Sequence, residues 1–185
     1  MLPLMEYLQT REAPFLVLPH PPAQTVGETA RHHGFSPDEV VSTVVVATRF
    51  GQALLVVGAG REVDRELVVM ALGDGEIRFP GERELLRTYP DHEPRSIPPL
   101  GALFEAPVYV DTDVAWRTAV VFSAGRPSLA IRMLTKDLFG DDSVMIAALT
   151  RQPSEEEEPG RGEEIVVEEA GVTLIGSAAQ DERTE

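Results

Sequence analysis

The sequence predicts a mixed α/β domain: a curled mixed sheet with short helices packed around it. Three observations predict it. Short β-prone runs and short helical stretches interleave irregularly, without the regular alternation of a doubly wound fold. Hairpin signals recur along the chain. Hydrophobic residues make up 43% and charged residues 25% of the 185 residues, the composition of a folded soluble domain. That length suits one globular domain over residues 1–150, followed by an acidic tail over 151–185.

Leu2 to Arg11 reads as a short helix, with Leu4, Met5 and Leu8 at helical spacing. Phe15 to Leu18 reads as a strand stopped by Pro19. His20-Pro21-Pro22 is a stiff connection, because each proline fixes φ and disfavours helix before it. Thr25-Val26-Gly27-Glu28 fits a capping box, and the helix it starts should run to His33, with Gly34 at its end. Ser36-Pro37-Asp38-Glu39 signals a single helical turn. Val40 to Thr48 is rich in β-branched residues and is expected to be a central buried strand. Arg49 to Gln52 should turn the chain into a second strand, Ala53 to Val57.

Asp64 caps an expected helix that runs to Leu72 and stops at Gly73. Glu76 to Phe79 reads as a short strand, and Pro80 to Tyr89 as a helix with Leu85 and Leu86 facing inward. Pro90 to Gly101 holds four prolines and no period, which marks an ordered loop or a flexible lid. Val108 to Val110 is a strand and Asp113 to Trp116 a turn of helix. Ala119 to Phe122 and Leu129 to Met133 form a hairpin across Gly125-Arg126-Pro127. Thr135 should cap a short helix, Lys136 to Phe139. Val144 to Leu149 fits a strand or a helix. In the tail, Ile165 to Val167 and Val172 to Ile175 are β-prone and could form a hairpin.

Charge and composition exclude several classes. Cysteine is absent, so disulfide scaffolds, cysteine nucleophiles and thiolate metal sites are ruled out. The net charge is −15, which repels phosphate backbones and anionic membranes as a whole. DNA and membrane partners are therefore not expected. No apolar run approaches the ~18 residues that span a bilayer. Residues 1–11 lack the features of a secretory signal, so a cytoplasmic location is expected. Residues 151–185 hold 11 acidic and 3 basic side chains, so the rest of the chain is only mildly acidic and can carry a basic patch. The tail is a candidate contact for a protein partner. Of the 16 basic residues 15 are Arg; the only lysine is Lys136.

The residues alone assemble no catalytic constellation. His32 and His33 are neighbours on a helix, where side chains diverge by about 100°, so they suit an exposed face rather than a metal. No metal or cofactor is expected: there is no His-Glu-x-x-His motif, Walker loop or Gly-x-Ser-x-Gly, and Gly58-Ala59-Gly60 lacks the rest of a dinucleotide fingerprint.

Several stretches, in order and spacing, resemble one family. They are His20-Pro21-Pro22 with Thr25, Val26 and Glu28; Ser36 to Val46; Gly60 to Asp64 running on to Gly73; Ile97-Pro98-Pro99-Leu100-Gly101; Pro107 to Asp111; and Ser123 to Arg126. Together they resemble the YbaK-type aminoacyl-tRNA deacylases, which include the editing domains of prolyl-tRNA synthetases. The resemblance spans roughly residues 4–140. It implies a partly closed barrel-like sheet and a pocket for the amino acid esterified to the tRNA 3′ end. It also implies hydrolysis of that ester when the amino acid is wrong. In the family, a strand lysine and backbone amides of a glycine-proline loop line the site.

This sequence departs from that pattern. Ser42 stands in the lysine's place. Arg95 and Ser96 replace the paired loop glycines, and Pro98 replaces a serine; Pro99 and Gly101 are kept. Ser123 matches a pocket serine, whereas Ala130 stands where some members carry an acid. The resemblance therefore implies catalytic positions at Ser42 and Arg95, and substrate contacts at His20, Ser96, Pro99, Gly101, Ser123 and Gly125. Two functions are compatible with it: a deacylase clearing a small mischarged amino acid, with reduced activity, or a binding module that kept the fold without the chemistry.

Overall fold

A computed structural model describes residues 3–21, 25–126, 128–140 and 144–151. Helix α1 (Pro3–Thr10) places Leu4 and Leu8, one turn apart, into the core at 1% exposure each. Strand β1 (Phe15–Pro19) follows. Helix α2 (Val26–His32) starts on the expected capping box: the Thr25 amide donates to Glu28 Oε2 at 2.7 Å, and Thr25 Oγ1 accepts from the Glu28 amide at 3.1 Å. A 3-10 turn, Pro37–Glu39, is capped by Ser36.

Strands β2 (Val41–Thr48) and β3 (Gly51–Gly58) form a hairpin with Val44 opposite Leu55. Helix α3 (Arg65–Leu72) is capped by Asp64, whose carboxylate accepts the Glu66 and Leu67 amides, and it ends at Gly73. Helix α4 (Glu82–Thr88), strand β4 (Val108–Asp111) and helix α5 (Thr112–Ala115) follow. Strands β5 (Ala119–Ser123) and β6 (Leu129–Leu134), helix α6 (Thr135–Phe139) and strand β7 (Met145–Ala147) complete the order.

The strands make two sheets. One is antiparallel, in the order β1-β6-β5; the other is mixed, in the order β2-β3-β4-β7. In the mixed sheet β3 pairs antiparallel with β2 and parallel with β4, and β4 is parallel to β7. A parallel bridge between Val40 and Val121 links the two sheets. The sheets do not close into a barrel.

Burial explains this order. Along β3, Leu54 and Val56 enter one apolar cluster with Leu4, Val110, Phe122 and Ile131. The alternate residues, Leu55 and Val57, enter another with Val68 of α3 and Leu149. A strand with both faces covered must be apolar where it is covered, and β3 is from Ala53 to Val57. The expectation of a central strand at Val40 to Thr48 is therefore corrected: β2 lies at the sheet edge, and Ser42 on it is exposed. β-Branched residues suit an edge strand as well as a central one; the neighbours decide.

Other expectations shift for similar reasons. Leu86 faces outward at 46% exposure, because α4 turns only Leu85 toward the core. Glu76 to Phe79 makes one bridge, Arg78 with Ala47, rather than a strand. Thr135 does not cap α6; the cap is Leu134, and Thr135 is the first helical residue. The proline-rich loop is ordered and buried from Ser96 to Gly101, where a 3-10 turn, Gly101–Leu103, begins. The expected tail hairpin lies outside the described residues.

Buried carboxylates tie the ends of elements together. Asp111 is 3% exposed; its Oδ2 accepts the Leu149 amide at 2.9 Å, the Thr150 amide at 3.0 Å and the Thr150 hydroxyl at 3.2 Å. Its Oδ1 accepts the Asp113 amide at 3.0 Å. Asp74, 1% exposed, accepts the amides of Arg49 and Glu76 at 2.9 and 3.0 Å.

Candidate active site

A cavity of about 180 Å³ opens where the start of α2, the start of β2, the end of β5 and the proline-rich loop meet. Each element delivers a polar group for a local reason. The capping box fixes Thr25 at the cavity wall. The edge position of β2 leaves Ser42 and Thr43 without a covering strand on one side. The last residue of β5 is Ser123, whose Oγ donates to the Arg126 carbonyl at 3.3 Å across the hairpin turn. From the loop come Arg95 and Ile97. Phe122 and Val40 supply apolar wall.

The loop is held from behind. The Gly125 amide donates to the Ser96 carbonyl at 2.7 Å, and the Glu93 amide donates to the Gly125 carbonyl at 3.3 Å. Gly125 has φ +84°, and a side chain there would meet the His92 ring at 2.9 Å, so glycine is required. His92 stands edge-on to Phe104, and burial pushes its pKa down, so it packs as a neutral ring. Gly101 is a second close approach: a Cβ would lie 2.2 Å from the Ala106 carbonyl oxygen.

Three of the predicted residues, Ser42, Arg95 and Ser123, therefore share one cavity. Ser96 is buried and anchors the loop through its carbonyl. His20, Pro99, Gly101 and Gly125 do not line it. The His20 amide donates to the Ser128 carbonyl, its Nδ1 lies 3.0 Å from the Pro21 carbonyl oxygen, and its Nε2 is buried without a partner. Sequence reasoning missed Thr43, whose Oγ1 is buried without a hydrogen-bond partner while its residue lines the cavity. Thr25, expected as a helix cap on the family's opening segment, also lines the cavity.

Among the described residues, the lining contains no aspartate, glutamate or histidine. Arg95 is its one charged residue; its side chain is 90% exposed, and Nε lies 3.4 Å from Glu82 Oε1. Such an exposed pair is weak and readily exchanged. The other arginines weighed for this site are placed elsewhere. Arg49 pairs with Asp74. Arg126 is exposed in the hairpin turn between β5 and β6. Arg117, half-buried, donates from Nη1 to the Val40 carbonyl at 3.1 Å and so braces the start of β2 from behind. Among the described residues, no group of three or more His, Cys, Asp and Glu is placed to hold a metal, and no helix is long and apolar enough to cross a membrane.

Comparison with solved structures shows the same fold in proteins of low identity. A hypothetical protein superposes with a TM-score of 0.71 at 19% identity, covering 80% of this chain and 99% of that one. A protein described as a candidate trans-editing enzyme for prolyl tRNA synthetase gives 0.68 at 21% identity, covering 80% and 95%. A scaffold used for grafting epitopes by computational design gives 0.70 at 20% identity, covering 80% and 96%. Comparison with curated proteins gives no match. The aminoacyl-tRNA editing domain family matches residues 20–140, the segment that builds both the cavity and the loop behind it. On that match, together with the shared fold, the chain belongs to the aminoacyl-tRNA editing domain family, of YbaK type.

Proposed function

We propose that residues 1–150 form an aminoacyl-tRNA deacylase that hydrolyses the ester of a small mischarged amino acid on tRNA. The observation that carries this reading is the convergence of Thr25, Ser42, Thr43, Arg95 and Ser123 on one small cavity within the family segment. Its volume, about 180 Å³, is below the roughly 300–1,000 Å³ of pockets that take drug-sized ligands. It suits a small amino-acid side chain, with the nucleotide left outside. The cationic rim at Arg95 supplies the one local charge that favours a phosphate or ester oxygen in a chain of net −15.

In the proposed reaction a water molecule attacks the ester carbonyl, the bond from that carbon to the ribose oxygen breaks, and free amino acid and tRNA leave. No lining side chain is a carboxylate or imidazole. The proton lost by the attacking water is therefore relayed, through solvent or the neighbouring ribose hydroxyl of the substrate, to the departing ribose oxygen. The protein's part is orientation and stabilisation of the developing oxyanion. Ser42 and Ser123 orient the amino acid and the water. The Ile97 amide, which has no acceptor among the described residues, is one loop donor available to the oxyanion. Ser42 is not a nucleophile in this scheme, because no base stands beside it.

A second reading, binding without hydrolysis, is favoured by one observation: the position of the family's lysine is held by Ser42. A charge-assisted hydrogen bond contributes about 1.5–3 kcal/mol, so its loss lowers binding or rate by about 10- to 150-fold. Single-turnover release of amino acid from tRNAs mischarged with small residues separates the two. The deacylase reading expects release above the uncatalysed rate, and faster release in Ser42→Lys. Silence in the wild type, with release regained when Ser42→Lys is combined with Arg95→Gly, would establish the binding module instead.

A further inference from the structure

A second cavity, of about 570 Å³, lies between β4, β6, β7 and α6. It shares no lining residue with the candidate active site. Val110, Ala115, Leu134, Phe139 and Ile146 give it an apolar wall. This size, three times that of the first cavity, falls within the range of pockets that hold small organic ligands. A mostly apolar lining with a few polar groups is also the usual composition of such pockets.

The polar groups decide what kind of ligand fits. The chain has 31 acidic and 16 basic residues, yet among the described residues the cavity is lined by two basic ones, Arg117 and Lys136, and by no acidic one. Arg117 is already matched: its guanidinium donates to the Val40 carbonyl and feels Asp38, Asp113 and Asp111. Lys136 is different. It is the only lysine of the chain, it is exposed at the cavity, and no carboxylate lies within ion-pair distance of it among the described residues. Beside it, Thr135 also lines the cavity, and its buried Oγ1 has no hydrogen-bond partner. Buried hydroxyls are nearly always satisfied, so one left open at a cavity marks a place for a ligand or a water.

We propose that this cavity binds a small amphipathic anion, a monocarboxylate with an unbranched apolar body. The hydrocarbon fills the space bounded by Leu134, Phe139 and Ile146, and the carboxylate meets the Lys136 ammonium at the rim. Neutral and cationic analogues lack the head-group contact. This site stands apart from the aminoacyl ester reading and does not depend on it.

The test uses the full chain and the probes hexanoate, octanoate, decanoate, octanol and octylamine. Trp116, the only tryptophan, is 84% exposed and lies between two lining residues, Ala115 and Arg117, so its emission reports on the rim. Two-dimensional amide spectra report on β7 and α6. Saturable binding is expected in the order octanoate, octanol, octylamine, with affinity rising about fourfold per added methylene. Lys136→Glu, at an exposed position, should weaken octanoate about tenfold or more and remove its advantage over octanol. Lys136→Arg should keep most of that advantage. Ala115→Leu, which adds three carbons to the cavity wall, should weaken all five probes, the longest most, while Ser42→Ala should change none. Equal affinity for octanoate and octylamine would overturn the anionic assignment. Decanoate affinity unchanged in Ala115→Leu would overturn the location, and no saturable binding of decanoate would overturn the site.

Discussion

Two regions of this molecule treat buried polar groups in opposite ways. At the end of the mixed sheet, Asp111 is saturated with four donors, and Asp74 is held by two amides. At the two cavities, the hydroxyls of Thr43 and Thr135 are shielded from solvent and bonded to nothing. An unpaired buried donor costs about 1–3 kcal/mol, so the fold gains nothing from either hydroxyl. The contrast separates polar residues that hold the structure from those available to a ligand. The first kind is recognised by its completed hydrogen bonds, the second by open ones beside empty space.

The largest effect that would test this contrast is at the saturated end. Asp111→Ala strands the Leu149 and Thr150 amides in a buried setting. It should destabilise the fold by about 3–5 kcal/mol, read from urea or thermal unfolding, and Asp111→Asn should cost less because one acceptor remains. An unfolding curve unchanged by Asp111→Ala would break the comparison from the structural side. Next comes Thr25→Ala, at a residue with both roles. Loss of the capping box should cost about 1 kcal/mol of stability, and deacylation should fall as the start of α2 loosens at the cavity wall.

Acid sharpens the same point. The Asp74 carboxyl is held below its usual range, first by the Glu76 amide and then by the Arg49 amide; Asp64 is lowered mainly by the Leu67 amide, and Glu28 by its bonds with Thr25. A carboxyl with a lowered folded pKa stabilises the protein above its unfolded value, near pH 4, and loses that contribution as pH falls through the folded value. Stability should therefore hold from neutrality down to about pH 4 and decline below it, and Asp74→Asn should flatten that decline in a pH series of unfolding midpoints. The smallest stability effect is expected at the open hydroxyl. Thr43→Val should leave the fold equally stable or, by removing the unpaired hydroxyl, up to about 1 kcal/mol more stable, yet slow single-turnover deacylation about tenfold. A stability loss with unchanged turnover would assign Thr43 to the fold instead.

Local chemistry made much of the fold legible. The capping box at Thr25 and Glu28, the Asp64 cap and the hairpin of β5 and β6 rest on contacts between residues near in sequence, and each stands where local rules put it. The site was half legible. Ser42, Arg95 and Ser123, expected from the order of the family's segments, line one cavity, whereas Thr43 beside them was not expected there, because an unpaired hydroxyl has no signature in a β-branched run. Leu86 was misread because the period of a short helix does not say how wide its buried face is.

By itself, then, the sequence determined most of the elements, the caps at Thr25, Ser36 and Asp64, and the family. Those depend on backbone sterics and on hydrogen bonds that close within a few residues. Only the tertiary structure decided that β3 and not β2 is the fully buried strand of the mixed sheet. It also decided that the sheets meet at Val40 and Val121 without closing, and that one cavity is small and polar while the other is large and apolar. Those outcomes turn on which distant residues cover a surface, and burial is a property of neighbours brought together by the chain's path, which no local run of residues contains.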